Sequence, residues 1–203
     1  TIDGLKADGD VCRISTTTAK KTLDTLQNTE IGHEVVLKNL EVVNSSGISG
    51  CRCLDTRGLE SGLVLDNVFM TADNGSGNTQ PLNIGGDTSE VLDVTITDSR
   101  IVADGKSYAI TTFNTVNLSI DNSYLEGWAV VYLKSPDSSH GSRDSTVDIR
   151  DSEIVSSNKN KGETDDFGAI VLEDPRITVR LTDITATISE TTGKEQRLFL
   201  ASE

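Results

Sequence analysis

The sequence predicts an all-β protein: a single right-handed parallel β-helix, a solenoid of about seven coils spanning residues 1–203 as one domain. Three observations predict it. First, one octapeptide pattern recurs, as VVLKNLEV (Val35 to Val42), LVLDNVFM (Leu63 to Met70), VTITDSRI (Val94 to Ile101), LSIDNSYL (Leu118 to Leu125), VDIRDSEI (Val147 to Ile154) and VRLTDITA (Val179 to Ala186). Second, a shorter apolar motif follows each octapeptide. Third, apolar residues within each octapeptide alternate up to a polar break and resume alternating after it, which reads as strand, bend, strand.

Taken in order, the first coil opens with Ile2 to Ala7, which fit the octapeptide frame with its front cut off, and continues into VCRI (Val11 to Ile14). The later coils close with GCRC, PLNI, AITT, AVVY, AIVL and RLFL, whose anchors, with Cys12 for the first coil, are Cys51, Leu82, Ile110, Val130, Ile170 and Leu198. The octapeptide anchors are Ile2, Leu37, Leu65, Ile96, Ile120, Ile149 and Leu181, spaced by 35, 28, 31, 24, 29 and 32 residues. A period near 30 with variable spacers describes units that stack, with insertions confined to loops. The break column reads Gly4, Asn39, Asn67, Asp98, Asn122, Asp151 and Asp183. These residue types tolerate the left-handed backbone, so the column predicts a recurrent αL bend whose stacked amides could form a ladder. One insertion departs from the strand pattern: Ala19, Leu23 and Leu26 are spaced as a single helical face and predict a short helix over Thr18 to Asn28.

Charge narrows the partners. Lys plus Arg total 18 against 32 for Asp plus Glu, a formal charge of −14 that repels nucleic-acid phosphates and anionic lipid. No nucleic acid and no membrane insertion are expected, since no apolar run approaches a membrane span. The chain starts within a repeat and stops just after RLFL without a polar capping segment, so a piece of a larger surface protein is expected. Cys12 and Cys51 occupy one repeat column with Cys53 two residues on. Buried free thiols are expected, and a Cys12–Cys51 disulfide would be within reach if their coils were adjacent.

The octapeptides and the motifs that follow them, as in LSIDNSYL with AVVY, resemble the repeats of the parallel β-helix proteins of the pectin-lyase-like superfamily. The resemblance runs from Ile2 to Leu200. It implies an extracellular or cell-surface protein, and it covers polysaccharide lyases, glycoside hydrolases, tail spikes and adhesins alike, so activity has to be argued from the site. Lyases of that group hold calcium on carboxylates from neighbouring coils beside a basic Arg or Lys. Here the column before the bend reads Asp3, Lys38, Asp66, Thr97, Asp121, Arg150 and Thr182. Asp121, Asp148 and Arg150 come nearest to such a cluster, but a surface ion-pair ladder accounts for them. The hydrolases carry paired Asp, Gly-His-Gly and Arg-x-Lys. Asp165-Asp166 and His140-Gly141 occur in reversed order without the rest, and loop solvation accounts for them. His33 is the other His, in a turn. No metal site and no cofactor are expected, beyond calcium that Asp and Asn bends could hold at loop tips.

Loop lengths point to a groove. The fifth coil turns its corner on Glu126-Gly127, between the longer Thr71 to Gln80 and Ser156 to Phe167 loops, so a cleft across the third to sixth coils is expected. The outward column after the bend reads Lys6, Glu41, Phe69, Arg100, Tyr124, Glu153 and Thr185. It sets Phe69, Arg100 and Tyr124 on consecutive rungs in a chain only 4% aromatic. Aromatic faces hold the apolar faces of sugars while polar neighbours serve the hydroxyls. Trp128 at the minimal corner joins these ligand-binding candidates, although it and Tyr108 share the parity of inward anchors and would also serve to cap the core. Tyr132 falls in an inward column and is expected in the core. The leading expectation is therefore a non-catalytic, adhesin-like or carbohydrate-binding module whose partner is a glycan or a host or cell-surface protein. A polysaccharide lyase or hydrolase comes second and a structural spacer third.

Overall fold

A computed structural model describes residues 1–6, 9–25, 32–74, 78–85, 91–104, 107–134, 144–157, 167–173, 176–189 and 196–201. The first three coils carry β1 (Ile2–Asp3), β2 (Cys12–Thr16) and β3 (Lys21–Asp24), then β4 (Val35–Asn44) and β5 (Arg52–Asp55), then β6 (Gly62–Ala72) and β7 (Leu82–Ile84). The fourth and fifth carry β8 (Leu92–Thr97), β9 (Arg100–Ala103) and β10 (Tyr108–Thr112), then β11 (Val116–Asp121), β12 (Tyr124–Gly127) and β13 (Ala129–Leu133). The last two carry β14 (Ser145–Arg150), β15 (Glu153–Ser157) and β16 (Phe167–Leu172), then β17 (Ile177–Thr182), β18 (Thr185–Ser189) and β19 (Gln196–Ala201).

All of these strands pair in parallel with the equivalent strands of neighbouring coils, which makes the protein an all-β parallel solenoid. β4 and β6 run unbroken through the bend and join the first and second faces into one 12-stranded sheet, while the third face is a separate 7-stranded sheet. Five coils have a neighbour on both sides and one at either end has a neighbour on one side, so about five turns are enclosed, against the seven coils counted in the sequence. The difference lies in how the terminal coils are counted.

The first face follows the sequence reading at each anchor. Ile2, Leu37, Leu65, Ile96, Ile120, Ile149 and Leu181 are register partners in one file. The file forms the spine of the core, with Leu37 through Ile149 at most 1% exposed. Stacked β-branched and Leu side chains fill a column in which every rung repeats the same parity. The outermost coils pack less: Ile2 is 47% exposed and Phe199 42%.

Three expectations about the first two coils are corrected. No helix exists among the described residues, and Lys21–Asp24 of the expected Thr18 to Asn28 helix is β3, because Lys21 and Leu23 pair with Arg52 and Leu54 of the next coil. The ladder offered by that coil outweighs a weak local preference. Leu5 does not continue the first octapeptide but bridges Val11, Ala7 lies outside the described residues, and Cys12, Arg13 and Ile14 take the positions opposite Leu40, Glu41 and Val42. Cys12 therefore lies on the second face while Cys51 sits at the entry to the third, and all three cysteines are free. Burial pushes the Cys51 thiol up, and that of Cys53 further, so both are small buried hydrophobes.

On the third face the true file is Leu23, Leu54, Leu82, Ile110, Val131, Ile170 and Phe199. Leu82, Ile110 and Ile170 are as expected, whereas Cys12, Cys51, Val130 and Leu198 are not the anchors. Corners of unequal length precede this face, and a one-residue difference in a corner reverses the parity of the strand after it. Tyr132 is accordingly half-buried outside the core, against Tyr108 at 4.8 Å between ring centres and hydrogen-bonded to Glu173.

Candidate functional site: a groove along the bend

The bend column is built as its residue types demand. Asn39, Asn67, Asp98, Asn122, Asp151 and Asp183 have φ between 44° and 55°. A left-handed residue between two extended segments turns the chain sharply without ending the ladder, and Asn and Asp bear that conformation at least cost after Gly. Gly4 occupies the same column without a positive φ. Its reason is room, since a Cβ there would stand 2.4 Å from the Asn39 carbonyl oxygen. The ladder of side chains forms in two stretches: Asn67 Nδ2 donates to Asn39 Oδ1 at 2.8 Å and Asn39 Nδ2 to Asp3 Oδ1 at 3.0 Å, while Asn122 Nδ2 donates to Asp98 Oδ1 at 2.5 Å.

A second device stands one residue further on. Ser99, Ser123 and Ser152 are buried, and each hydroxyl donates to the carbonyl two residues before it, of Thr97, Asp121 and Arg150. Each also accepts a backbone N–H from the preceding coil: Val68 to Ser99 at 3.0 Å, Ser99 to Ser123 at 3.1 Å, and Ser123 to Ser152 at 3.0 Å. The αL turn swings a carbonyl out of reach, and the hydroxyl relays the missing bond so that no buried donor is orphaned. The pattern Asp-Ser or Asn-Ser at the break of three successive octapeptides was the available signal for it.

This corner is also the wall of an open groove of about 380 Å³. Phe69, Arg100, Tyr124 and Glu153 line one side and Asp98, Asn122 and Asp151 the other, with Ser99 and Ser123 at the bottom. The register puts Phe69 beside Arg100, Arg100 beside Tyr124, and Tyr124 beside Glu153. The Arg100 guanidinium lies over the Tyr124 ring, 3.9 Å from its centre, and 3.8 Å from a Glu126 carboxylate oxygen. Tyr124 donates its hydroxyl to that same oxygen at 2.8 Å, and burial together with Glu126 pushes the phenol above its usual range, so it remains a donor. Cation, ring and carboxylate lock one another in place, which holds the ring as a platform with little rotamer freedom left to lose on binding. Phe69 is 36% exposed.

Three of the four candidate residues thus meet in one groove across the third to sixth coils. Trp128 does not belong to it. It is 8% exposed and packs against Tyr108, 5.8 Å between ring centres, beside the third face. The groove's described lining comes from the bend and the second face. Residues 75–77 and 158–166 of the Thr71 to Gln80 and Ser156 to Phe167 loops, with His140, Gly141, Asp165 and Asp166, lie outside the described residues. Glu126, which anchors the Arg100–Tyr124 pair, escaped the sequence reading because its role depends on the side-chain reach of a minimal corner. At that corner a Cβ on Gly127 would stand 3.1 Å from three backbone atoms.

The charged columns behave as surface ladders. Lys38 pairs with Asp66 on the adjacent rung at 3.0 Å, and Arg150 is held in bidentate fashion by Asp148 of its own strand. Among the described residues no three His, Cys, Asp or Glu side chains converge as metal ligands, and no helix is long and apolar enough to cross a membrane.

The most concentrated charge lies elsewhere, on the outer side of the third face. The Asp55 carboxylate is fully buried and contacts Lys21 at 2.8 Å, Arg52 at 2.6 Å, Arg57 at 3.1 Å and the Asn83 amide at 2.9 Å. Burial alone would raise its pKa, yet the bonds from Lys21, Asn83 and Arg52 outweigh that and hold it below the usual carboxylate range. It ties three consecutive coils together and is read as structural.

Compared with known proteins, the chain matches no protein family, no curated protein and no solved structure, so the shape of the solenoid and the chemistry of its groove carry the functional reading.

Proposed function

We propose that this protein is a non-catalytic, adhesin-like binding module of the pectin-lyase-like kind, working outside the cell or at its surface, and that the groove along its bend takes a glycan. The observation that supports this most is the row of Phe69, Arg100 and Tyr124 on consecutive rungs, with the Tyr124 ring pinned by Arg100 and Glu126. Rungs repeat every ~4.8 Å, so flat apolar faces and hydrogen-bonding groups recur along a line, which suits an extended polymer better than a compact small molecule. The test is glycan-array binding by the intact chain and by Phe69→Ala and Tyr124→Ala. Loss of binding in both supports the reading. Unchanged binding in both retires the platform, and a blank array leaves the solenoid as a spacer.

One observation favours an enzyme instead. Asp98 and Asp151 both line the groove two rungs apart in the bend file, with backbones about 9.6 Å apart at ladder spacing, so their carboxyls need only lean toward each other to reach a catalytic separation. Carboxyls of an inverting glycosidase stand roughly 6.5–9.5 Å apart. Product release from neutral and acidic polysaccharides, with and without calcium, tests this. Turnover abolished by Asp151→Asn would replace the binding reading with a hydrolytic one.

A further inference from the structure

The charge of the groove narrows its ligand, on the footing that the groove binds a glycan at all. Asp98, Asp151 and Glu153 are exposed and line it, whereas Arg100 is the single cation among its lining residues. That cation is matched, since Glu126 stands 3.8 Å away and Tyr124 covers one of its faces. The neighbouring Arg150 is held by both oxygens of Asp148, and Lys38 by Asp66. Among the described residues none of the three carboxylates is in an ion pair: Asp98 accepts from the neutral Asn122 amide, and Asp151 lies near an Arg150 already held by Asp148, on a chain of formal charge −14.

We infer that the groove selects glycans carrying protonated amines over neutral ones, and excludes polymers of uronic acid. A uronate laid over the Tyr124 platform would bring a negative charge on each sugar to within a few ångströms of Asp98, Asp151 and Glu153, where like charges repel strongly at low ionic strength. An ammonium on the same sugar would find a carboxylate on either wall while its ring still packs on Phe69 and Tyr124. The acidic substrates implied by a lyase-like resemblance are those this surface repels most.

The experiment is calorimetric titration of the full chain with three hexasaccharides: glucosamine, N-acetylglucosamine and galacturonate. At pH 6 and low ionic strength the amine form should bind about tenfold more tightly than its N-acetyl counterpart, with no measurable galacturonate binding, and that ratio should shrink in half-molar salt. In Asp151→Asn/Glu153→Gln the amine advantage should collapse toward one. The variant should fold, because Asn is at ease in the αL position and Glu153 is exposed. Tightest binding of galacturonate, or equal affinity for all three, overturns the inference while leaving a glycan-binding groove standing. Failure of all three to bind, alongside a blank glycan array, overturns both.

Discussion

The bend between the first and second faces and the outer side of the third face are two solutions to one problem, the turning of a stacked chain. At the bend six successive coils place Asn or Asp in the same left-handed conformation, with φ of 44° to 55°, and the side chains there are short and shared between rungs. On the third face each coil differs. One carboxylate, Asp55, gathers three cations in the early coils, and an aromatic cluster of Tyr108, Trp128 and Tyr132 covers the middle ones. Repetition leaves the bend with an open, uniform trough, whereas variety fills the outer third face with packing. The difference teaches that the regular corner is free to serve a ligand because its stability comes from backbone geometry rather than from filled space.

The largest expected effect that would break this comparison is at Asp55. Asp55→Ala strips three cations and an amide of their shared partner and should cost about 3 kcal/mol, read from the urea midpoint, where an equally charged exposed residue such as Asp66 costs well under 1. The same group sets an acid limit. Its folded pKa is lowered, so its contribution is present above the ordinary carboxylate value of about 3.9 and is lost as pH falls through the folded value. Asp55→Asn should flatten the urea midpoint against pH below the ordinary carboxylate value of about 3.9. A steeper slope in the variant would assign acid sensitivity elsewhere.

Next in size is the serine relay. Ser123→Ala removes the acceptor of the buried Ser99 N–H and should cost about 2 kcal/mol, with faster hydrogen exchange at Ser99 itself. Then comes the αL column, where Asn67→Val should cost about 1–2 kcal/mol and Asn67→Gly a few tenths. If Gly proves as costly as Val, the side-chain bond to Asn39, rather than the backbone, holds that bend. Smallest for stability are the groove residues: Phe69→Ala should cost about 0.5 kcal/mol or less, read from the urea midpoint, while removing glycan binding, because its ring is exposed.

Legibility in the sequence follows the same division. The Leu37 to Leu181 file, the αL column and the consecutive placement of Phe69, Arg100 and Tyr124 were all readable, since each is counted from a break inside one uninterrupted segment. The third-face anchors were not. Val131 and Phe199 stand one residue from the expected Val130 and Leu198, each after a corner whose length no local pattern fixes. Trp128, read both as a ligand candidate and as a cap on the core, lies outside the groove and packs against Tyr108, and its side could not be fixed in advance because parity is carried along a strand and lost across a turn. The helix expected over Thr18 to Asn28 failed because a spacing of three apolar residues competes poorly with an adjacent coil offering a complete set of backbone partners.

By itself the sequence determined the period, the face that turns inward along each octapeptide, and the left-handed bend, because these depend on interactions within a few residues and on a ladder that repeats them. Only the tertiary structure decided that Glu126 pins Arg100 to Tyr124, that serine hydroxyls carry the ladder past the bend, and that three carboxylates share the groove with one matched cation. Most of those facts join residues one coil apart, 24 to 31 positions along the chain. Their separation in space is set by coil length and side-chain reach, quantities that appear only once the coils are stacked.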